Sequence, residues 1–350
     1  MDLIQLSVQV VLNIIIVMVL LLCFFTFYIM FQRQREMRMN NRRDRYIKNY
    51  SQMWYDYLLN DEIFSITLIP RGKPEVNAIE IIFLSYINNL TNGVIIQKIK
   101  DFSNLYLLEH YIEDLSHSRW SIRMNALYRI FNFQMDQAMI ACNTLEKKKI
   151  SKEEYFQLLK INSLFQPSVF MEKIESAKFD YSESEYRRLF VLLKEDVFIR
   201  FFNDFDQWPA RIQFAVIDTA AVKRSMIYIK RLEQLLQHDI EEVRIRALKG
   251  LNEIGVIENL SIYVPFVASD IWEERLMIAK IFKYIPLSYT YSYLEQLLQD
   301  DNWWVRSEAA KTIAKDANGV GKFQNFIESS KDTYAVEIPK GIVMRKQEIL

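Results

Sequence analysis

Four pairs of aspartate and arginine recur in the C-terminal half of the chain at a fixed spacing. Each arginine follows its aspartate by five residues, and three of the aspartates follow one another at intervals of 31 residues. The pairs are Asp206 and Arg211, Asp239 and Arg244, Asp270 and Arg275, and Asp301 and Arg306. A carboxylate beside a guanidinium could act on a substrate. A pair that returns once per repeat is better explained as a contact between neighbouring repeats, so we expect a structural ladder.

The elements that must position these pairs are helices. The hexapeptide LEQLLQ begins at Leu232 and again at Leu294, two periods later. Apolar residues after each arginine are spaced by three and four, which places them on one helical stripe. The chain has 7 glycines and 7 prolines in 350 residues, far below the usual shares of about 7% and 5%. These features predict an all-α solenoid of stacked helix pairs.

Earlier parts of the chain carry weaker copies of the same pattern. Arg123 lies in a segment with the apolar spacing of a second helix, although Ser118 replaces the aspartate. Two segments, Ser151 to Glu154 and Ser182 to Glu185, have the sequence of capping boxes and predict helix starts. No arginine signature accompanies these two starts, so the repeat is degenerate there.

The repeat resembles the HEAT family, in particular its short bacterial units of about 30 residues. The resemblance is carried by these residues and by their equivalents one and two periods earlier: Leu298, Asp300, Trp303, Val305, Arg306, Ala309 and Ala310. It implies that the turn aspartate and the helix arginine bind each other along the stack. It implies no catalytic role for either residue.

Four of the six tryptophans lie three residues before a repeat arginine, at the start of a predicted second helix. They are Trp120, Trp208, Trp272 and Trp303, and Glu241 fills the position in the remaining copy. The favoured interpretation is that each ring packs over the turn and against the next repeat. The alternative is an exposed row of partner-binding residues, because tryptophan is a common binding anchor. Trp304 is the strongest candidate for exposure, because neighbouring helix positions point in different directions.

The N-terminal segment is almost continuously apolar from Val8 to Phe31. At about 1.5 Å per residue, this segment is roughly 36 Å long, enough to cross a hydrocarbon core of about 30 Å. A signal peptide would have a shorter apolar region behind a basic start, whereas this chain begins with Met1 and Asp2. The sequence therefore predicts a retained transmembrane anchor.

The flank that follows the apolar segment is basic. Residues 32–50 contain seven cations and two anions, while the whole chain has a formal net charge of zero. The positive-inside rule predicts an N-terminus outside the cell and a cytoplasmic body. Attraction to anionic lipids is a second possible role, although setting the topology is sufficient to explain the charges. The cations are Arg33, Arg35, Arg38, Arg42, Arg43, Arg45 and Lys48.

No catalytic, cofactor or metal constellation is found in the sequence. His110 and His117 share a helix face, but no further ligand pattern completes a metal site around them. The segment from Gly319 to Lys322 lacks the spacing and the hydroxyl residue of a phosphate loop. The mildly acidic body disfavours nucleic-acid binding, including that of helical-repeat DNA glycosylases, and no motif supports a bilin lyase.

These patterns predict four segments and one favoured function. The function is a non-enzymatic, membrane-anchored cytoplasmic scaffold or adaptor that binds a protein partner. Resemblance to membrane-anchored HEAT proteins implies that the partner is an envelope-synthesis enzyme such as a membrane glycosyltransferase. The alternative is an enzyme or small-molecule sensor with a pocket in the solenoid. The segments are the anchor at 1–31, a basic stalk and linker at 32–74, the helical repeats at 75–316, and a segment without the repeat pattern at 317–350.

Overall fold

The computed structural model describes residues 8–60, 62–90, 92–176, 178–330 and 332–347. Across these residues the chain is helical and contains no β-strand, which confirms the predicted all-α class. The chain divides into two compact units, the first ending at Phe165 and the second beginning at Gln166. The first seven residues of the predicted anchor and the last three of the chain lie outside the described residues.

The first unit is organised around a single long helix, α1, which runs from Val8 to Leu59 without interruption. Its segment from Val11 is apolar enough to cross a membrane, with a mean hydropathy of 3.0 and none of that window buried. Tyr46 and Trp54, near the other end, are buried in the core. The Trp54 indole N–H donates to the Tyr46 hydroxyl at 3.2 Å, and that hydroxyl donates to the Leu68 carbonyl at 2.7 Å.

Part of the folded core lies within the predicted stalk and linker at 32–74. Helix α1 continues from the apolar segment to Leu59, so much of the stalk is part of α1. Tyr46, Trp54 and Leu58 nevertheless belong to the core. The folded body therefore begins within the stalk, because aromatic side chains on one face of the helix find apolar partners there.

The remaining helices of the first unit pack on α1 and on one another. The Trp54 ring meets the rings of Phe83 and Phe102 edge-on, each at 4.9 Å between centroids. Helix α1 packs on α2 and α3, α4 packs on α5, and α5 packs on α7. These helices are α2 (Lys73–Asn89), α3 (Gly93–Tyr106), α4 (Leu108–Leu115), α5 (Trp120–Asn132), α6 (Met139–Glu146) and α7 (Lys152–Phe165).

The second unit contains a succession of packed helices. Helix α9 packs on α11, α11 on α13, α13 on α14 and α14 on α16, while α12 and α15 pack on α13 and α16 respectively. The helices are α8 (Pro167–Ser176), α9 (Glu183–Phe190), α10 (Glu195–Asn203), α11 (Ala210–Lys223), α12 (Ile229–Leu235), α13 (Glu241–Ile254), α14 (Trp272–Ile281), α15 (Leu287–Leu297), α16 (Trp303–Ala314), α17 (Gly319–Ser329) and α18 (Thr333–Gln347). Short 3-10 turns join several of them, including Phe205–Gln207 before α11.

The predicted helix starts are confirmed. Both serines of the predicted capping boxes accept a backbone N–H three residues later, from Glu154 at 3.2 Å and from Glu185 at 3.3 Å. Every repeat arginine lies in the first turns of α5, α11, α13, α14 or α16. The arginine pattern therefore locates the starts of these five helices correctly.

The C-terminal segment, which lacks the repeat pattern, forms α17 and α18 in its described part. Gly319 lies where α17 starts against the end of α16. A Cβ atom at Gly319 would come within 1.9 Å of the Ile313 carbonyl oxygen. This glycine therefore permits a close approach between the start of α17 and the backbone of α16. Pro339 lies inside α18.

Candidate partner-binding site

Three of the five repeat arginines, Arg123, Arg244 and Arg275, bind the carbonyls of their own turn and a carboxylate farther along the chain at the same time. The Arg244 guanidinium donates to the carbonyl oxygens of His238 at 2.9 Å and Asp239 at 3.1 Å. Its Nε donates to the Glu274 carboxylate at 2.7 Å. Glu274 lies in the first turn of α14, where a negative charge also interacts favourably with the helix dipole. The Arg244 side chain thus joins the turn before α13 to the first turn of α14.

The same arrangement occurs in the first unit. The Arg123 guanidinium donates to the carbonyl oxygens of His117 at 3.0 Å and Ser118 at 2.8 Å. Its Nε donates at 2.6 Å to Glu154, which lies in the first turn of α7 and is almost fully buried. The other carboxylate oxygen of Glu154 accepts the Ser151 backbone N–H at 2.9 Å. The capping-box glutamate is therefore also the partner of the repeat arginine.

Arg275 makes the most complete of these contacts. It donates to the Ser269 carbonyl at 2.7 Å and to both carboxylate oxygens of Asp300 at 2.5 and 2.9 Å. Two parallel bonds between a guanidinium and a carboxylate are stronger and more directional than one. Arg306 donates to the carbonyl oxygens of Asp300 and Asp301 at 2.7 and 3.0 Å.

The structure corrects the expected pairing of turn aspartate and arginine. Asp239 and Asp301 contribute main-chain carbonyl oxygens, and the carboxylates that bind Arg244 and Arg275 come from Glu274 and Asp300. All four predicted aspartates, Asp206, Asp239, Asp270 and Asp301, are exposed. The guanidinium lies against the carbonyls of the short turn, so the aspartate carboxylates remain in water, where an ion pair contributes little.

Arg306 has no forward carboxylate partner among the described residues, and Arg211 differs in the direction of its contact. Its guanidinium donates at 2.5 Å to Asp180, which lies 31 residues earlier and just before α9. Both side chains are exposed, and the hydrogen bond to Asp180 raises the pKa of Arg211. Asp206, the predicted partner, is instead 3.9 Å from Arg231. The contact at Arg211 therefore points back along the chain, whereas those of Arg123, Arg244 and Arg275 point forward.

The five candidate tryptophans divide into exposed and buried side chains. Trp304 is 60% exposed and meets Trp303 edge-on at 4.9 Å. Trp303, Trp272 and Trp120 are also exposed, although the Trp120 indole donates to the Ser151 hydroxyl at 3.0 Å. Trp208 is only 8% exposed, with its ring 5.2 Å from that of Phe201. Trp208 therefore follows the packing interpretation, and the other four are available to a partner.

A cavity of about 880 Å³ opens in the second unit beside the Arg211–Asp180 pair. It lies between the chain that joins α8 to α9 and the turn that precedes α11. Three aromatic side chains and three carboxylates contribute to its wall. The lining residues used below are Glu175, Phe179, Asp180, Tyr186, Asp204, Trp208 and Arg211.

One buried polar group of the cavity wall, the Trp208 indole N–H, has no hydrogen-bond partner among the described residues. Tyr186 lies on the same wall and is 6% exposed. Burial raises the pKa of Tyr186, and the nearby charge of Asp180 raises it further. Buried polar groups are usually satisfied, so the Trp208 N–H calls for an explanation.

The basic side chains of the predicted membrane flank all lie on α1. Arg43 is half-buried and pairs with Asp44 at 2.8 Å, and the other six are exposed. From Arg33 to Lys48 a helix rises by about 22 Å. The charges therefore follow the stalk over that length.

The described part of the chain contains no group of three or more His, Cys, Asp or Glu side chains that could hold a metal ion. His110 lies 3.6 Å from the Asp114 carboxylate, one helical turn away.

No protein-family model matches the chain, and no curated protein matches it either. Among solved structures, the chain is similar to the crystal structure of an engineered protein from the Northeast Structural Genomics Consortium. The two share 15% sequence identity over 79% of this chain and 80% of that chain, with a TM-score of 0.30. At that TM-score the similarity carries no conclusion about fold or function.

The sequence pattern reveals neither the cavity nor the carboxylates that bind Arg123, Arg244 and Arg275. The carboxylates follow their arginines by 31, 30 and 25 residues, so no fixed period marks them. One signal for the cavity was present. The arginine signature is missing at α9, the helix that begins beside Asp180.

Proposed function

We propose that this protein is a membrane-anchored scaffold or adaptor with a HEAT-like α-solenoid body that binds a protein partner at the cytoplasmic face of a membrane. The observation that carries the proposal is α1. One end of this helix is apolar and exposed, and the other end is buried in the first unit. Such a helix would join an anchor to a folded body without a flexible linker.

The packing within the second unit supports the solenoid. Helices α9, α11, α13, α14 and α16 contact one another in chain order. In a solenoid each repeat contacts its neighbours in this way. The contact from Arg244 reaches Glu274 at the start of α14, and the contact from Arg275 reaches Asp300 in the turn before α16, as expected for a repeated stack.

The orientation follows from the basic flank. Seven cations directly after the apolar segment favour a cytoplasmic body by the positive-inside rule. Tyr46, the first buried residue of the stalk, follows Phe31 by 15 residues. If the membrane ends near Phe31, the core begins about 22 Å along the helix axis. A partner would therefore be a membrane protein with a cytoplasmic domain, and an envelope-synthesis enzyme such as a glycosyltransferase has that form.

The exposed tryptophans are the contact residues that we propose for this partner. Trp303 and Trp304 lie side by side at the start of α16, and Trp272 occupies the same position on α14. Trp303 and Trp304 expose two adjacent rings, and tryptophan is enriched among residues that dominate interface energies.

In-membrane crosslinking followed by purification tests the proposal. The chain is expressed with its own apolar segment, with an unrelated spanning helix in place of Val8–Phe31, and with Trp304→Ala. We expect both changes to reduce recovery of a membrane protein. Tyr289→Ala, which removes another exposed aromatic side chain from the same unit, is the matched control.

A reporter fused after Leu350 tests the orientation separately. Activity in a cytoplasmic assay is expected, and activity of an exported reporter would rule out a cytoplasmic body. Equal recovery of the membrane protein from all of the crosslinked variants would rule out the proposed contacts.

The alternative function is an enzyme or small-molecule sensor, and the 880 Å³ cavity is the observation in its favour. Its volume lies within the range of about 300–1,000 Å³ typical of ligand pockets. Native mass spectrometry of the purified chain is the discriminating measurement, because a tightly bound neutral molecule would favour the sensor.

A further inference from the structure

The cavity beside Arg211 has an unbalanced set of charges. Three carboxylates, those of Glu175, Asp180 and Asp204, face a single guanidinium. That guanidinium is already bound by Asp180 at 2.5 Å. The wall therefore carries an excess of negative charge, with Glu175 exposed and Asp204 half-buried. A positively charged group is the complementary occupant.

The aromatic residues of the wall favour the same kind of occupant. Phe179, Tyr186 and Trp208 all contribute to it. The face of an aromatic ring attracts a cation, and arginine is the side chain that most often forms this contact. The second unit already contains such contacts. The Lys178 ammonium lies 5.9 Å from the centre of the Phe179 ring on the cavity wall, and the Arg246 guanidinium lies 4.5 Å from the centre of the Phe214 ring.

The unpartnered Trp208 N–H distinguishes a peptide from a simple cation. This N–H can only donate a hydrogen bond, and the Tyr186 hydroxyl on the same wall can donate or accept one. A peptide carries carbonyl acceptors next to its side chains, whereas an alkylammonium ion has none. A planar guanidinium also matches a carboxylate through two bonds and stacks on aromatic rings, which an ammonium group does less well.

We propose that this cavity binds an arginine-bearing segment of the protein partner. The inference rests on the proposed scaffold function and adds the chemistry that the partner must present. The arginine side chain enters between the aromatic residues and the carboxylates of Glu175 and Asp204, and the adjoining main chain bonds to Tyr186 and Trp208.

The first test uses a synthetic probe and the full chain in nanodiscs of neutral lipid. The probe is a fluorescent glycine-rich hexapeptide with two arginines, and the same peptide with citrulline is the uncharged comparison. Fluorescence anisotropy gives the dissociation constant of each. We expect the citrulline peptide to bind at least tenfold more weakly.

Substitutions locate the binding on the chain. The double variant Glu175→Gln, Asp204→Asn is expected to weaken the arginine peptide at least fivefold. The matched control is Glu172→Gln, Asp206→Asn, which makes the same charge change at exposed positions that do not line the cavity. Trp208→Phe keeps an aromatic ring without the N–H and should weaken binding less than the double variant. Equal binding of both peptides, or equal losses in the two double variants, overturns the proposal.

Crosslinking of the same variants in membranes separates this inference from the scaffold function. Partner capture that survives Glu175→Gln, Asp204→Asn overturns the inference and leaves the scaffold intact. Failure of the wild-type chain to capture any membrane protein, with the arginine peptide still bound, overturns the scaffold and supports the ligand chemistry of the cavity.

Discussion

Two segments of the second unit use the same repeat arginine in opposite ways. In the regular segment, from Asp239 to Ile313, Arg244 and Arg275 bind forward to carboxylates that are nearly buried. In the irregular segment, from Ile174 to Ile212, Arg211 binds backward to the exposed Asp180. The irregular segment also lines a cavity with three carboxylates and with the buried Trp208 N–H, which has no partner among the described residues. The buried Arg306 Nε of the regular segment likewise has none, so the two segments differ in the direction of the arginine contact and in the cavity.

The comparison shows that one arginine contact can be redirected while the packing of neighbouring helices continues. Helix α11 packs on both α9 and α13, as α13 and α14 pack on their own neighbours. The redirected contact joins two exposed side chains, so it contributes less to stability than the nearly buried contacts of Arg244 and Arg275.

The largest expected effect is on Arg275. Arg275→Ala leaves the buried Asp300 carboxylate without its guanidinium, which we expect to lower the free energy of unfolding by about 3 kcal/mol, near the lower limit for buried pairs. The double variant Arg275→Ala, Asp300→Ala should recover part of that loss. Arg211→Ala should leave the melting temperature unchanged, because both partners are exposed. Thermal unfolding of the full chain in detergent measures all three, and equal losses at Arg275 and Arg211 would contradict the comparison.

A second prediction tests the close packing at the end of the regular segment. Gly319→Ala brings a Cβ against the Ile313 carbonyl oxygen, so we expect a loss of about 1–3 kcal/mol from the forced backbone shift. Gly321→Ala is the matched control, because a Cβ there meets nothing within 4 Å. That change should be neutral or stabilise by up to about 1 kcal/mol, since alanine favours helix. Similar unfolding curves for both variants would show that the helix start can move freely.

A smaller effect separates the two capping boxes. Ser151 caps α7 and also accepts the Trp120 indole N–H, whereas Ser182 caps α9 and has no such additional contact with a repeat tryptophan. We expect Ser151→Ala to cost about 1–2 kcal/mol and Ser182→Ala about 0.5–1 kcal/mol. Urea unfolding gives both values. A larger loss at Ser182 would mean that the cap of α9, in the irregular segment, contributes more to stability than the cap of α7.

The sequence predicts the helices well and their polar contacts poorly, for different physical reasons. The spacing of Val243, Ala247 and Leu248 is set by the helix itself, so it is visible locally and predicts α13 correctly. The partner of Arg244 depends on how α13 packs on α14, which no local pattern records. The cavity is still less visible, because it arises where the pattern is absent.

The smallest expected effect concerns the residues that are most regular in the sequence. Asp239→Asn keeps the main-chain carbonyl that binds Arg244 and changes only an exposed carboxylate. We therefore expect a change in the free energy of unfolding of no more than about 0.5 kcal/mol. Glu274→Gln, in contrast, removes the buried charge that Arg244 binds and should cost distinctly more. If urea unfolding shows the reverse order, the turn aspartate is the true partner of the arginine. A negligible effect at Asp239 would mean that ion pairing does not explain why an aspartate stands five residues before four of the five repeat arginines. The turn itself then explains it, because aspartate favours turns and positions just before helices through bonds to nearby backbone N–H groups.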